Sequence, residues 1–345
     1  MGSVEEDTTT SSLLALEALL KRGQYTRSGQ ISLLTLDIVE KYVQSNCWKT
    51  AGDLITWLQD TAETLRKAAA SETASGNLIL RLIKIVRDDF TNRHRSRNPG
   101  LMSQNSVDSE QGLDFNLEIP ELRSDVQNTI YELQSELELS AENIAEEADK
   151  HIHSNEVVLT MGKSKTVEAF LKRAAKKAVF EVIVAECAPA SNGHELAHSL
   201  ASSKIQTTLI ADTAIFAMMS RVNKVIIGTH SVLANGGLKA IAGIHLVALA
   251  AKYYNVPVIV LVPMYKLSPE YPLSTDINKT TNRFVSPDQL LDYSDGDVYS
   301  KVCAYNPVFD YVPPNLISLF IFNIGSLAPS YIYRLLHETY PQIKR

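Results

Sequence analysis

After His153, short apolar runs alternate with helical segments, and few folds are compatible with that pattern. Five runs have the length and continuous apolar character of buried strands: Glu156–Thr160, Phe180–Ala185, Thr207–Ile210, Lys224–Ile227 and Pro257–Val262. Four helical segments separate them: Thr166–Ala178, His194–Ser202, Ala214–Ser220 and Leu238–Tyr253. Such strands joined by helices indicate a parallel sheet covered on both faces. Residues 153–345 are therefore predicted to form a doubly wound, Rossmann-like α/β domain, with ligands expected at the carboxyl ends of its strands.

The chain before this domain is predicted to be helical. Apolar residues recur at helical spacing in four sets, which begin at Leu13, Ile31, Leu54 and Ile79. Residues 91–118 lack a sustained period and contain Asn98-Pro99-Gly100, which predicts a flexible loop. We therefore expect an all-helical N-terminal domain over residues 1–120, followed by one long connecting helix over residues 121–152.

The connecting helix is strongly acidic. Residues 106–147 contain twelve acidic residues and one basic residue, Arg123. This pattern is typical of a solvated helix face, and it is also compatible with a docking surface for a basic partner.

Composition excludes several functional classes. Lys and Arg number 33 against 39 Asp and Glu, so the net charge of −6 disfavours non-specific nucleic-acid binding. Cys47, Cys187 and Cys303 are odd in number and far apart, which argues against a disulfide framework and fits a reducing cytosol. The acidic N-terminus lacks the features of a secretory signal. Since charged and helix-breaking residues interrupt the apolar stretch 246–262, it is predicted to be a buried helix and strand, not a membrane span.

Several residues at predicted strand ends could carry chemistry. Gly162-Lys163-Ser164 is similar to the end of a phosphate loop, but position 157 is Val157 where the full motif has glycine. This loop could hold an anion at a helix N-terminus or simply cap the helix. Cys187 could be a nucleophile activated by His194, although lone buried cysteines are usually structural.

Other polar residues have simpler explanations. Asp212 precedes a predicted helix, and an N-cap is its default role. His151 and His153 lack a third metal ligand nearby, and they are expected to end the connecting helix. Asn235-Gly236-Gly237 predicts a turn that allows close backbone approach.

Aromatic residues are dense near the C-terminus, in segments 307–314, 316–322 and 328–334. Tyr and Phe together with Arg are typical of interface cores. We therefore predict a subunit interface that includes Phe309, Tyr311, Tyr331 and Tyr333. The same segments are also expected to supply the last strand and helix of the sheet.

A family likeness is carried by the aromatic C-terminal segments and by four shorter stretches: 151–156 (HIHSNE), 182–189 (VIVAECAP), 220–229 (SRVNKVIIGT) and 234–236 (ANG). They resemble the alpha, beta and delta regulatory subunits of eukaryotic translation initiation factor 2B, and most closely the beta members. The resemblance covers about residues 10–340 and is strongest from His151 onward.

The resemblance implies a function that composition could not. The family's factor is a guanine-nucleotide exchange factor for the heterotrimeric initiation GTPase, initiation factor 2. Its epsilon subunit catalyses exchange, whereas alpha, beta and delta sense phosphorylation of the GTPase and inhibit exchange. The implied partners are the delta, alpha, gamma and epsilon subunits, in a two-fold decamer with beta and delta paired through their α/β domains, and the GTPase in both phosphorylation states. No cofactor or metal is implied, and Glu132 and Glu136 of the acidic helix become candidates to face the GTPase.

The α/β half is also similar to sugar-phosphate aldose–ketose isomerases, but it departs from them at three positions. Gly162 stands where those enzymes have a catalytic Cys, Gly237 where they have a catalytic Asp, and Ala188 where they have a phosphate-binding Arg. Because an isomerase needs an acid and a base at its substrate, these departures predict a non-catalytic chain. A vestigial pocket lined by Asn155, Gly162, His194 and Asp212 is expected near the dimer axis.

Two enzymatic or switching alternatives stay open on the sequence. A sugar-phosphate isomerase could use Cys187, His194 and Asp212, and a nucleotide-dependent switch could use Gly162-Lys163-Ser164.

Overall fold

The computed structural model describes residues 2–23, 28–45, 47–69, 71–97, 114–117, 121–272, 282–294 and 296–340. Most of the predicted flexible loop, including Asn98-Pro99-Gly100, lies outside the described residues. The chain divides into two compact units, one comprising Met1–Glu138 with His337–Arg345 and the other Leu139–Leu336. The expected domains 1–120, 121–152 and 153–345 differ from this division in two ways. The boundary between the units falls inside the connecting helix, and the end of the chain belongs to the helical unit.

The described residues form twelve α-helices and ten β-strands. The helices are α1 Gly2–Arg22, α2 Ser28–Gln44, α3 Ala51–Ala68, α4 Ala74–Arg97, α5 Leu122–Glu146, α6 Ala148–His151, α7 Lys165–Ala174, α8 Asn192–Ser202, α9 Ile215–Met219, α10 Ile244–Tyr253, α11 Gly296–Tyr299 and α12 Ile332–Thr339. The strands are β1 Val157–Met161, β2 Glu181–Ala185, β3 Gln206–Ile210, β4 Lys224–Gly228, β5 Ser231–Val232, β6 Leu238–Ile241, β7 Val258–Leu261, β8 Phe309–Val312, β9 Leu319–Phe322 and β10 Gly325–Leu327.

The helical unit is built on an apolar core that the predicted stripes supply. Leu54, Leu58, Val86 and Phe90 are fully buried in it. The start of α3 is fixed by a capping box, in which Thr50 Oγ1 accepts from the Asp53 amide at 3.2 Å and the Asp53 carboxylate accepts from the Thr50 amide at 3.0 Å. These backbone hydrogen bonds hold the pKa of Asp53 below its ordinary value.

The last residues of the chain belong to the same unit. The Lys84 ammonium donates to the carbonyl oxygens of His337 at 2.9 Å and Glu338 at 2.6 Å, at the C-terminal end of α12. Tyr340 is buried, and burial raises the pKa of its hydroxyl. The hydrogen bonds of Lys84 and the burial of Tyr340 therefore explain why the described end of the chain belongs to the helical unit.

The α/β unit contains a seven-stranded sheet in the order β10-β9-β7-β4-β1-β2-β3. All pairings are parallel except that of β10 with β9, and β1 pairs with β2 in register from Val157↔Glu181 to Met161↔Ala185. The strand order reverses between β1 and β4, because β2 and β3 extend to one side and β4, β7 and β9 to the other. The predicted doubly wound α/β fold is confirmed, and folds of this kind bind their ligands in a crevice at such a reversal.

A second, antiparallel sheet in the order β5-β6-β8 was not predicted. It takes Leu238–Ile241, which the sequence assigned to a helix; Gly243 at φ +101 ends this strand region and starts α10. It also takes Phe309–Val312, so only Leu319–Phe322 of the aromatic region joins the main sheet.

Two helix boundaries also differ from expectation. Helix α4 continues to Arg97, so residues 91–97 are helical and not part of a loop. The connecting helix is interrupted at Glu147, where α5 ends before the short α6 begins.

Candidate functional site

In a doubly wound fold the ligand crevice is expected beyond the carboxyl ends of the strands. There, the loops that follow β1 and β2 meet Ile241, the last residue of β6. Gly162 has φ +69, a left-handed conformation that favours glycine. A Cβ placed on Gly162 would lie 3.6 Å from Ile241 Cδ1 and 3.7 Å from Cys187 Sγ. The Sγ of Cys187, which follows β2, therefore lies beside the position of Gly162.

Asp212 braces the turn that holds Cys187. Its carboxylate accepts from the amides of Cys187 at 2.9 Å and Ala188 at 2.7 Å, and Cys187 itself has φ +62. The prediction that Asp212 is an N-cap is wrong, because these two amides and not a helix end use its oxygens. Its role in the described structure is to fix the loop between β2 and α8.

The chemistry of Cys187 is unsuited to nucleophilic catalysis. Burial, reinforced by the negative charge of Asp212, raises the pKa of the thiol to about 11. His194, the proposed activator, is largely exposed, and its Nε2 lies 3.8 Å from the Glu186 carboxylate. Cys187 is thus protonated at neutral pH.

Tyr311 fills the space beside Gly237. A Cβ on Gly237 would lie only 2.6 Å from Tyr311 Cε2 and 2.9 Å from its hydroxyl oxygen. The tyrosine is held there by Asn235, whose Nδ2 donates to the Tyr311 hydroxyl at 2.6 Å while its Oδ1 accepts from the Gly237 amide at 2.9 Å. The predicted turn with close backbone approach is confirmed, and a carboxylate side chain cannot be accommodated at position 237 without moving Tyr311.

One charged residue of the crevice was missed by the sequence analysis. Lys239 on β6 is only 4% exposed, and its Nζ lies 4.9 Å above the Phe309 ring. It pairs across the small sheet with Ser231 on one side and Tyr311 on the other. The residue was overlooked because its segment was assigned to a helix, in which these cross-strand neighbours do not exist.

The predicted pocket residues do not all meet. Gly162, His194 and Asp212 follow the carboxyl ends of β1, β2 and β3, respectively. Asn155 precedes β1 and its amide donates to the Val179 carbonyl at 2.8 Å, so it lies at the amino edge of the sheet. The placement of Asn155 in this pocket was wrong.

The loop 162–164 caps a helix. Ser164 is the N-cap of α7 and its Oγ accepts from the Val167 amide at 3.4 Å, while Lys163 forms an ion pair with Glu195. His151 is the last residue of α6, as expected, but burial lowers the pKa of its imidazole and so opposes the charged form. Among the described residues, no cluster of three or more His, Cys, Asp or Glu side chains could hold a metal ion.

The four predicted interface aromatics differ in accessibility. Phe309 is buried against His230, with ring centroids 4.5 Å apart, and so is unavailable to a partner. Tyr311 is half-buried beside Gly237. Tyr331 and Tyr333 are exposed and stay candidates for an interface.

The two acidic candidates on α5 also differ. Glu136 makes a two-pronged ion pair with Arg81 of α4, at 2.7 and 3.1 Å, and is therefore part of the helical unit's own packing. Glu132 is exposed. None of the described helices is both long enough and apolar enough to span a membrane.

Comparison with known proteins identifies the family. The model of the initiation factor 2 subunit family matches residues 24–329, which include the whole crevice. The chain belongs to the initiation factor 2 subunit family.

Relatives within this family match over nearly the full length. The chain is 40% identical to "Translation initiation factor eIF2B subunit beta" of Dictyostelium discoideum, over 93% of each chain. Among solved structures, it superposes on eIF2B beta from Chaetomium thermophilum with a TM-score of 0.76 and 28% identity, covering 97% and 93% of the two chains. A chain of the tetrameric eIF2B-beta2-delta2 complex of that organism gives a TM-score of 0.74 at 28% identity, covering 98% and 97%.

The chain also has more distant relatives of two kinds. The delta subunit of Dictyostelium discoideum is 29% identical over 68% of this chain and 40% of its own length. Ribose 1,5-bisphosphate isomerase of Archaeoglobus fulgidus is 30% identical over 64% of this chain and 69% of its own length. The chain is therefore related to translation initiation factor subunits along its length and to an isomerase over about two thirds of it.

Proposed function

We propose that this chain is a non-catalytic regulatory subunit of the guanine-nucleotide exchange factor for the initiation GTPase. In this role it assembles with delta, alpha, gamma and epsilon subunits in the cytosol, and it helps the factor to sense phosphorylation of the GTPase and to inhibit exchange. Full-length similarity to eIF2B beta subunits supports the assembly, since 40% identity extends across both structural units.

The observation that carries the non-catalytic part is the contact between Gly237 and Tyr311. The resemblance places the isomerase carboxylate at position 237, where a side chain would clash with the ring of Tyr311, and this supports a non-catalytic role. The thiol position is Gly162, and the neighbouring Cys187 has a pKa of about 11. Both departures support a chain that does not catalyse proton transfer on a sugar phosphate, since that reaction needs an acid and a base at the substrate.

Reconstitution of exchange tests the regulatory role. The factor is assembled with and without this chain, and release of labelled GDP from the GTPase is measured with phosphorylated GTPase added as inhibitor. We expect the factor that lacks the chain to keep basal exchange but to lose inhibition. Unchanged inhibition without the chain would overturn the proposal.

The isomerase is the second candidate, because an isomerase relative is 30% identical over 64% of this chain. Turnover of ribose 1,5-bisphosphate and methylthioribose 1-phosphate by the purified chain decides it. We expect none above the uncatalysed rate, and turnover abolished by Cys187→Ser would establish the enzyme instead.

A further inference from the structure

The last turn of α4 carries an exposed serine within a basic sequence. Residues 93–97 read RHRSR, which places Arg93 three positions before Ser96. Ser96 is exposed, and its Oγ donates to the Asn92 carbonyl oxygen at 2.9 Å, in the preceding turn of the same helix. Residues three positions apart lie on the same side of an α-helix, so the side chains of Arg93 and Ser96 are neighbours.

Arg93 also joins α4 to α5. Its Nε donates to Asp125 Oδ2 and its Nη2 donates to Asp125 Oδ1, both at 2.8 Å, in a two-pronged ion pair. Burial and the charge of Asp125 raise the pKa of the Asp89 carboxyl, one turn earlier on α4, and Arg93 opposes this shift. Arg93 thus stabilises negative charge on two carboxylates, although its side chain is still 44% exposed.

We propose that Ser96 is a phosphorylation site for a basophilic serine kinase, and that its phosphate draws Arg93 away from Asp125. Kinases of this class bind the guanidinium of an arginine three positions before the acceptor serine, and Arg93 and Ser96 supply that spacing. The inference goes beyond the proposed function and does not depend on it.

The modification uses MgATP as its co-reactant. Ser96 Oγ forms a bond to the γ-phosphorus, and the bond from that phosphorus to the β,γ-bridging oxygen breaks. The hydroxyl proton passes to a carboxylate of the kinase, and ADP leaves. Because kinases hold the acceptor segment extended, the end of α4 has to open. Opening a terminal turn breaks few hydrogen bonds, since the last four carbonyl groups of an α-helix have no partner within the helix.

The phosphate changes the charge balance at the end of α4. It adds about −1.5 to −2 charges at neutral pH, close to the negative end of the helix dipole. A guanidinium binds phosphate with two parallel hydrogen bonds, as it binds a carboxylate. Because the phosphate carries more charge than Asp125 and is a neighbour of Arg93 on the same helix, it competes for the guanidinium. Loss of the ion pair leaves Asp89 and Asp125 with like charges, so α4 and α5 are held together less tightly.

A second serine provides an internal comparison. Arg283 stands three positions before Ser286, but Pro287 follows Ser286 directly. Basophilic kinases disfavour proline after the acceptor serine. The Ser286 hydroxyl also shares a hydrogen bond with the hydroxyl of Tyr293 at 2.5 Å. The proposal therefore requires phosphorylation at Ser96 in preference to Ser286.

Site mapping tests the assignment. The full chain is incubated with calmodulin-dependent protein kinase II and MgATP, and modified residues are identified by tandem mass spectrometry. A synthetic peptide of residues 88–100 is the positive control for the motif. We expect Ser96 to be modified in both. In the full chain, Arg93→Ala should slow modification about 10-fold, and Asp125→Asn should accelerate it about two-fold or more, because it releases Arg93 from a charged hydrogen-bonded pair. A full chain without phosphate at Ser96, or modified chiefly at Ser286, would overturn the proposal.

Thermal unfolding tests the displacement of Arg93. We expect the chain phosphorylated at Ser96 to melt about 2–4 °C below the untreated chain. In Asp125→Asn the shift on phosphorylation should be at most about half as large, because the ion pair is already weakened there. Ser96→Ala, treated with kinase in the same way, is the matched control and should not shift. An equal shift in Asp125→Asn, or no shift in the phosphorylated parent chain, would overturn the displacement of Arg93.

Discussion

The ring of Tyr311 stands 2.6 Å from the point where a Cβ on Gly237 would lie, and Asn235 binds both residues. The small β5-β6-β8 sheet is responsible, because it places Tyr311 on a strand next to the turn that contains Gly237. The turn is therefore packed against an aromatic side chain, which fills the space beside Gly237.

A side chain at position 237 should therefore destabilise the protein. We expect Gly237→Ala to lower the free energy of unfolding by about 1–3 kcal/mol, the usual cost of overpacking. Thermal unfolding measures this, with Gly296→Ala as control because a Cβ at Gly296 would meet no atom within 4 Å. Equal stability of the two variants would contradict the packing role of Tyr311.

The thiols should differ sharply in reactivity. Because burial and Asp212 raise the pKa of Cys187 to about 11, it should resist iodoacetamide at pH 8, whereas the exposed Cys303 should be modified first. Peptide mass spectrometry of the labelled chain measures the extent of modification at both cysteines. Preferential labelling of Cys187 would show an activated thiol and would favour an enzyme.

The same thiol makes stability depend on pH. The folded state binds the Cys187 proton more tightly than the unfolded state, whose thiol pKa is 9.0. Its contribution is therefore complete below about pH 9 and is lost as the pH rises through about 11. The difference in unfolding free energy between the unmodified chain and Cys187→Ala, measured by urea titration, should shrink over that interval, and a constant difference would contradict the raised pKa.

Charge reversal should have different effects at the two acidic candidates, Glu136 and Glu132. Glu136→Lys breaks the ion pair with Arg81, and we expect a loss of about 1.5–3 kcal/mol in unfolding free energy, typical of charged hydrogen bonds. Glu132→Lys should leave stability unchanged, because its side chain is exposed. If Glu132 faces the GTPase, as we propose, only this variant changes inhibition by phosphorylated GTPase at normal stability. Normal inhibition in Glu132→Lys would refute its role.

The end of the chain should contribute to the stability of the helical unit. Tyr340 is 4% exposed, so Tyr340→Ala should cost about 3–5 kcal/mol, as for other buried aromatic residues. Tyr333→Ala, at a residue 60% exposed, is the matched control and should unfold normally. Unchanged thermal stability of Tyr340→Ala would show that the chain end is dispensable to the helical unit.

The sequence predicted those parts of the fold that local pattern determines. Continuous apolar runs located β1, β2, β4 and β7 within one residue, because strands buried on both faces need apolar residues at every position. The edge strand β3 was also located within one residue, although it is not buried on both faces. The prediction for the segment Leu238–Ile241 was wrong for the opposite reason. Its strand is defined by partners at Ser231 and Tyr311, far away along the chain, and nothing within the segment distinguishes it from the helix that follows.

The site was predictable only in part. The departures from the isomerase motifs at Gly162 and Gly237 can be read directly from the sequence, since each departure concerns the identity of one residue. The roles of Tyr311 and Lys239 depend on cross-strand pairing. The role of Asp212 depends on its hydrogen bonds to the loop that follows β2. Local spacing in the sequence reveals neither kind of contact. Asn155 was misplaced because a motif residue next to a strand can stand at either end of it.

Native mass spectrometry of the tagged chain, isolated from its own cells, tests whether it is a subunit of the exchange factor. We expect a particle that contains four other subunit types, with the initiation GTPase bound in less than equal amount. A homo-oligomer that retains a sugar phosphate would contradict it, and would mean that the crevice beside Tyr311 and Cys187 is an active site after all.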